Sequence, residues 1–277
     1  MSQKARKWFL VWGIFIGVFL VRGLLPWIIV WLANPALGPL GSLTATFSND
    51  PSIQESVEKS APLLLVAGGI FLIFLFLHWL FLEEKVFGLS FEKFFSKRGV
   101  WFFACVSVIL TVIVWLALRT DPLMAFAATI GSTVFFVVYG FKEQAAKAEL
   151  ELKSNNALSD LSKLIYLEVL DATFSVDGVV GAFAFTLSVP LIILGNGLGA
   201  IVVRHFTIKG VDTIKKYHFL KNGAMYSIFI LGVIMVLESF GVEIPSFVSP
   251  LVTFVVIGFF FWKSIMHNRQ SLTAYNQ

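Results

Sequence analysis

The chain has 277 residues, of which 57% are hydrophobic, 30 are Phe and only 14% are charged, where a soluble domain carries roughly a quarter charged residues. Its mean hydropathy is +0.85, and its apolar runs reach the roughly 18–20 residues that a helix needs to cross hydrocarbon. This excludes an ordinary soluble domain. It also excludes a membrane barrel, whose alternating pattern is missing, and leaves an all-α polytopic membrane protein.

Eight transmembrane helices are predicted, at 8–33, 61–82, 100–118, 122–141, 159–187, 189–208, 219–241 and 246–267. The first follows the basic segment MSQKARK. Its run is about twice the ~7–15 residues of a signal-peptide core, so it reads as an uncleaved span, kinked at Pro26. Residues 34–60 are rich in Pro, Gly and Ser and read as a loop. Residues 81–95 interleave Phe87, Leu89, Phe91, Phe94 and Phe95 with charges, which predicts an amphipathic turn or two at the membrane interface, serving as a connection. Pro122 opens a short, tight turn after Thr120-Asp121. Residues 142–158 form a polar, helix-prone linker between an N-terminal part, 1–141, and a C-terminal part, 159–277.

Charge gives orientation. Lys4, Arg6 and Lys7 precede the first span; Lys85, Lys93, Lys97 and Arg98 follow the second; Lys142, Lys147, Lys153 and Lys163 precede or open the fifth. Lys209, Lys215, Lys216 and Lys221 join the sixth to the seventh, and Lys263 and Arg269 lie at the C-terminal end. Thus 17 of 21 basic residues fall on one alternating side, two (Lys59, Arg119) on the other, and two (Arg22, Arg204) inside spans. The positive-inside rule places both termini in the cytoplasm, with the chain in the inner (plasma) membrane. Trp8, Trp12, Trp27, Trp31, Trp79 and Trp101 fall near predicted span ends, as an aromatic belt would. The net charge of +4 is therefore a topology signal and not a nucleic-acid signal. Cys105, the single cysteine, lies in an apolar run and excludes a Cys-based metal site.

Two stretches, GIFIGVFLVR from Gly13 and GNGLGAIVVR from Gly195, share the pattern G-x-x-x-G-x-x-x-x-R. Such small residues allow close helix packing. The first copy runs from inside to outside and the second from outside to inside, as an inverted-topology pair requires. In the second half a carboxylate-bearing helix precedes this pattern. In the first half no chain is left for it, so the first repeat lacks its opening helix.

That carboxylate-bearing stretch, LEVLDATFSVDGVVGAFAF, carries Glu168, Asp171 and Asp177 with no Lys or Arg among them. Asp171 falls about 18 Å along its helix, near the midplane of a ~30 Å core. A charge there costs about 2.5–3.5 kcal/mol or more, so it must face protein, water or an ion. Glu168, Asp171 and Ser175 share one helical face. Asp177 points elsewhere, unless the helix breaks near 174–181, where Gly178 and Gly181 permit it. Carboxylate and hydroxyl oxygens, with an amide oxygen from Asn196 on the next helix, suit a hard divalent cation. The alternative is ion pairing of Asp171 and Asp177 with Arg22 and Arg204, which would pin helices together. His78, His205, His218 and His267 are scattered and form no spaced ligand pair, and no catalytic triad or phosphate loop is visible, so an enzyme is not expected.

YLEVLDATFSVDGVVGAFAFT, the helix ending VVRHFTI, NGAMYSIF and WKSIMHNR together resemble the TerC family, in the LysE-like transporter superfamily. The likeness covers about 159–270 strongly and 8–82 more weakly. It implies two inverted three-helix repeats, each opening on an S-x-D-N or S-x-D-G motif, and a role in manganese export or tellurite resistance. The motif falls here on Ser175, Asp177 and Gly178, with Asp171 as its acidic companion. The chain departs from the family pattern at Leu220-Lys221-Asn222-Gly223-Ala224, where a Leu-Glu-His-Gly-Ala-like run is expected.

The expected function is transport of a divalent cation, bound in passing and not as a cofactor, with the lipid bilayer, the ion and a second copy or a membrane protein as partners and no nucleic acid. The alternative is a non-transporting scaffold that docks partner proteins. A third reading places the start codon wrongly, with the missing helix encoded upstream.

Overall fold

The computed structural model describes residues 22–33, 35, 38–45, 51–154, 178–186, 188, 190–199, 202 and 217–275. Its elements are α1 (Arg22–Ala33), α2 (Gly38–Ala45), α3 (Pro51–Leu82), α4 (Glu92–Ser96), a 3-10 turn (Gly99–Trp101), α5 (Phe102–Thr120), α6 (Pro122–Ser154), α7 (Pro190–Gly199), α8 (Leu220–Ser239) and α9 (Val248–Tyr275). Among the described residues there is no strand.

Five helices are long and apolar enough to cross a membrane: Ser60–Leu82, Gly99–Thr120, Pro122–Gln144, Leu220–Ser239 and Val248–Asn268. These match the second, third, fourth, seventh and eighth predicted spans within three residues at each end. The first and fifth predicted spans fall mostly outside the described residues, and the sixth does so in part.

One expectation is corrected here. Much of 34–60 is helical and not a loop, because α2 occupies Gly38–Ala45 and α3 starts at Pro51. Proline at a first helical position costs no hydrogen bond and presets the backbone angle, so the helix begins well before the apolar run. At its other end, α6 runs on to Ser154, through most of the polar linker. Glu143 with Lys147, and Glu149 with Lys153, stand at the i, i+4 spacing that favours helix in water.

The chain forms two compact units, Met1–Leu64 with Thr133–Ile201, and Leu65–Ser132 with Val202–Gln277. In the first unit, α1 and α2 are tied by the Trp27 indole, which donates to the Pro39 carbonyl at 2.9 Å. Trp27 also stacks on Trp31.

The second unit is built around the C-terminal part of α3. Ile70, Phe71, Leu72, Phe74 and Trp79 are essentially inaccessible. Trp79 is therefore a core residue and not a member of the aromatic belt, because it sits on the face of α3 turned toward the protein. Among the described residues, close packing comes from Gly131 and Gly69. A Cβ at Gly131 would lie 2.2 Å from the Ala67 carbonyl oxygen, and one at Gly69 would lie 2.8 Å from that of Gly232. Nothing lies within 4 Å of a Cβ built at Gly195 or Gly199, so the close packing expected there is not made among the described residues.

Burial separates the roles of the spans. In the α3 span 67% of the apolar window is buried, against 22% for α5 and 17% for α9, so the latter two have apolar faces open to a bilayer. Hydroxyls on these helices return to their own backbone, as in Thr111 to Ser107 O and Thr253 to Ser249 O. The expected tight turn is present: Asp121 is extended, and its carboxylate accepts from Leu123 N at 2.9 Å to cap α6. Gly241, at φ +84°, ends α8 with its N–H on Glu238 O and the Val242 N–H on Leu237 O. That left-handed backbone is why glycine stands there.

Candidate functional site

Most of the predicted ion-site residues, Glu168, Asp171, Ser175 and Asp177, lie outside the described residues, as does Arg204. Arg22 opens α1. Gly178 and Gly181 lie in helix, with open space where their side chains would be. Among the described residues the chain is helical from Gly178 to Ala182, and at 183–185 the bonds shorten to i→i+3 (Phe183 to Val180, Ala184 to Gly181, Phe185 to Ala182). Asn196 is half-buried on α7, and among the described residues its Nδ2 has no hydrogen-bond partner.

A second polar cluster, unforeseen as a site, forms where 83–98 meets the start of α8 and the later part of α9. At its centre is Glu92, completely buried at 0% exposure. Its Oε2 accepts from Gly88 N at 2.7 Å and from Asn222 Nδ2 at 3.0 Å, and its Oε1 accepts from the Tyr226 hydroxyl at 2.9 Å. A buried carboxylate is costly unless hydrogen-bonded, and three donors meet that need here. The Asn222 amide also donates to Val86 O at 3.0 Å.

The glycine at 88 is required by space. A Cβ there would lie 2.9 Å from both Asn222 Nδ2 and the Phe260 ring. Gly88 also accepts through its carbonyl from the Lys263 ammonium. The connection is thereby tied to both α8 and α9.

Three further groups complete the cluster. Lys85 donates to Trp79 O and, at 2.6 Å, to Leu80 O, covering terminal carbonyls of α3, and stands 4.4 Å from the Trp79 ring centre. Burial lowers the pKa of Lys85, against the opposing charges of Glu92 and Glu83. The Glu83 carboxylate lies 3.8 Å from His78 Nδ1 and 2.5 Å from Lys221 Nζ. The imidazole and then the ammonium hold its pKa at about 2, below the ordinary 4.5, although partial burial works the other way.

The two departures from the TerC-like run thus acquire partners. Lys221 meets Glu83 and Asn222 meets Glu92. An acid at 221 would face Glu83 with like charge. The sequence reading took 81–95 for a plain connection. The available signal was a lone acid between aromatic residues in FGLSFEKFF.

His218 and His267, read as scattered, come together edge to face with 6.1 Å between ring centres. Beside them the Phe219 N–H donates to the buried Ser264 hydroxyl at 2.9 Å. Among the described residues no three His, Cys, Asp or Glu side chains converge as a metal would need.

A protein-family model described as "Protein of unknown function (DUF475)" matches residues 1–271. Over 97 residues the chain is 32% identical to a "UPF0053 protein" of Haemophilus influenzae, covering 35% of this chain. The match spans 40% of that relative's length. No solved structure matches.

Proposed function

The chain belongs to the DUF475 family, and from that premise we propose that it is a membrane-embedded transporter of a divalent cation, of the TerC type that its motifs resemble. One observation carries the reading: Glu168, Asp171 and Asp177 stand in an apolar stretch with no Lys or Arg among them. Charges so placed are expensive in hydrocarbon and belong to an ion path or a buried partner. Asp171 and Asp177 are the principal ligands, with Glu168, Ser175 and Asn196 contributing oxygen, and Mn²⁺ is the ion first expected.

Orientation follows from the basic residues, with both termini cytoplasmic in the inner membrane. The chain acts as a carrier, not as an enzyme. The Glu92 cluster holds the 83–98 connection and carries no ion.

Uptake of radioactive Mn²⁺ into inverted vesicles tests the reading. Wild type is expected to accumulate the ion, and Asp171→Asn and Asp177→Asn to lose that accumulation. Equal uptake in all three, or none in wild type, overturns it.

A further inference from the structure

Residues 91–101, FEKFFSKRGVW, contain one acid and three cations. The fold sorts them. Glu92, the acid, is turned inward and buried on its three donors, while Lys93, Lys97 and Arg98 are exposed. The outward face of this stretch therefore carries positive charge alone.

The same face carries large apolar side chains. Val100 is 90% exposed, Trp101 62% and Phe94 53%, with Phe91 exposed beside them. The Arg98 guanidinium lies 3.6 Å from the Phe94 ring centre and donates to the Phe94 carbonyl at 3.3 Å, so charge and aromatic surface are held together. The span Gly99–Thr120 begins inside this stretch. The face therefore lies where a helix leaves hydrocarbon, at the depth of lipid headgroups, where aromatic rings and basic residues are both favoured.

Among the described residues, neighbouring charges do not cancel it. Glu83 is engaged with Lys221, and the ammonium groups of Lys85 and Lys263 are turned to backbone carbonyls. Glu84 is exposed, on the preceding turn and outside 91–101.

We propose that the outward face of residues 91–101 is a binding surface for the headgroups of anionic phospholipids, presented by the inward anchoring of Glu92. The phosphate of such a lipid meets Lys93, Lys97 and Arg98, while its upper acyl chain meets Phe94, Val100 and Trp101. This surface is independent of the ion path and of any transport activity.

The test uses the full-length protein in detergent micelles, titrated with short-chain phosphatidylglycerol and phosphatidylcholine and read by native mass spectrometry. Wild type is expected to hold phosphatidylglycerol more tightly by roughly tenfold or more, given three surface cations. The variant K93Q/K97Q/R98Q should lose most of that preference, and K93R/K97R/R98K should keep it. Inorganic phosphate at the same concentration should not displace the lipid. Equal affinity of wild type for the two lipids overturns the proposal without recourse to any variant, and would assign the face to an acidic protein partner instead. So does a triple Gln variant that keeps the wild-type preference, or displacement of the lipid by phosphate.

Discussion

The Tyr226 hydroxyl donates to Glu92 Oε1 at 2.9 Å, joining positions 134 residues apart. A hydrogen bond to a charged group contributes about 1.5–3 kcal/mol. Tyr226→Phe keeps the ring, which stacks on Phe260 at 5.2 Å between centres, and removes only the donor. It should destabilise the protein by about 2 kcal/mol on that scale, seen as a lower Tm in detergent. An unchanged Tm would show that water serves the carboxylate equally well.

Substitutions at Glu92 should separate its hydrogen bonds from its charge. A glutamine can turn its carbonyl oxygen toward Gly88 N and Asn222 Nδ2, and its amide toward the Tyr226 hydroxyl, which can accept. Glu92→Gln is therefore expected to be mild. Glu92→Ala strands three donors and should cost at least ~3 kcal/mol, at about 1–3 kcal/mol for each unsatisfied group. If the two variants melt together, the hydrogen-bond account of the cluster is wrong.

Two glycines offer a matched pair. Gly131→Ala places a Cβ 2.2 Å from the Ala67 carbonyl oxygen, against backbone that cannot rotate away. Overpacking of this kind costs about 1–3 kcal/mol or more. Gly258→Ala, on α9, meets nothing within 4 Å and should be neutral or stabilising by up to ~1 kcal/mol. Denaturant melts of the two variants should shift in opposite directions or, at the least, differ clearly.

Glu83 predicts a dependence on pH. Its folded pKa of about 2 lies below the ordinary 4.5, so its contribution is present above pH 4.5 and is lost as pH falls toward 2. Its side chain is 34% exposed, so solvent screening reduces that contribution to roughly 1 kcal/mol. The stability difference between wild type and Glu83→Gln should be level from neutral pH down to about 5 and shrink below it. A difference that persists undiminished at pH 2.5 would contradict the assignment.

Helix periodicity and hydropathy are local, and the five spans followed from them because hydrocarbon demands long apolar helices. The turn at Asp121-Pro122 was equally legible, since its chemistry lies within three residues. The start of α3 at Pro51 was obscured by polar residues that a helix tolerates in water. Glu92 was illegible for a different reason. Its donors Asn222 and Tyr226 are 130 and 134 positions away, and the one local signal, an acid set between aromatic residues, says nothing of them. Trp79 was misplaced because nearness to a span end says nothing about which face of the helix it occupies. The carboxylates at 168, 171 and 177 remain a reading of sequence chemistry, outside the described residues.

The helix α6 carries a mechanical consequence. Its 33 residues extend about 50 Å at 1.5 Å per residue, against ~30 Å of hydrocarbon. Between Phe141 and Ser154 it contains no Gly or Pro at which to bend. About 20 Å of helix is thus left for water, so the chain leaves the membrane here as a rod and not as a coil.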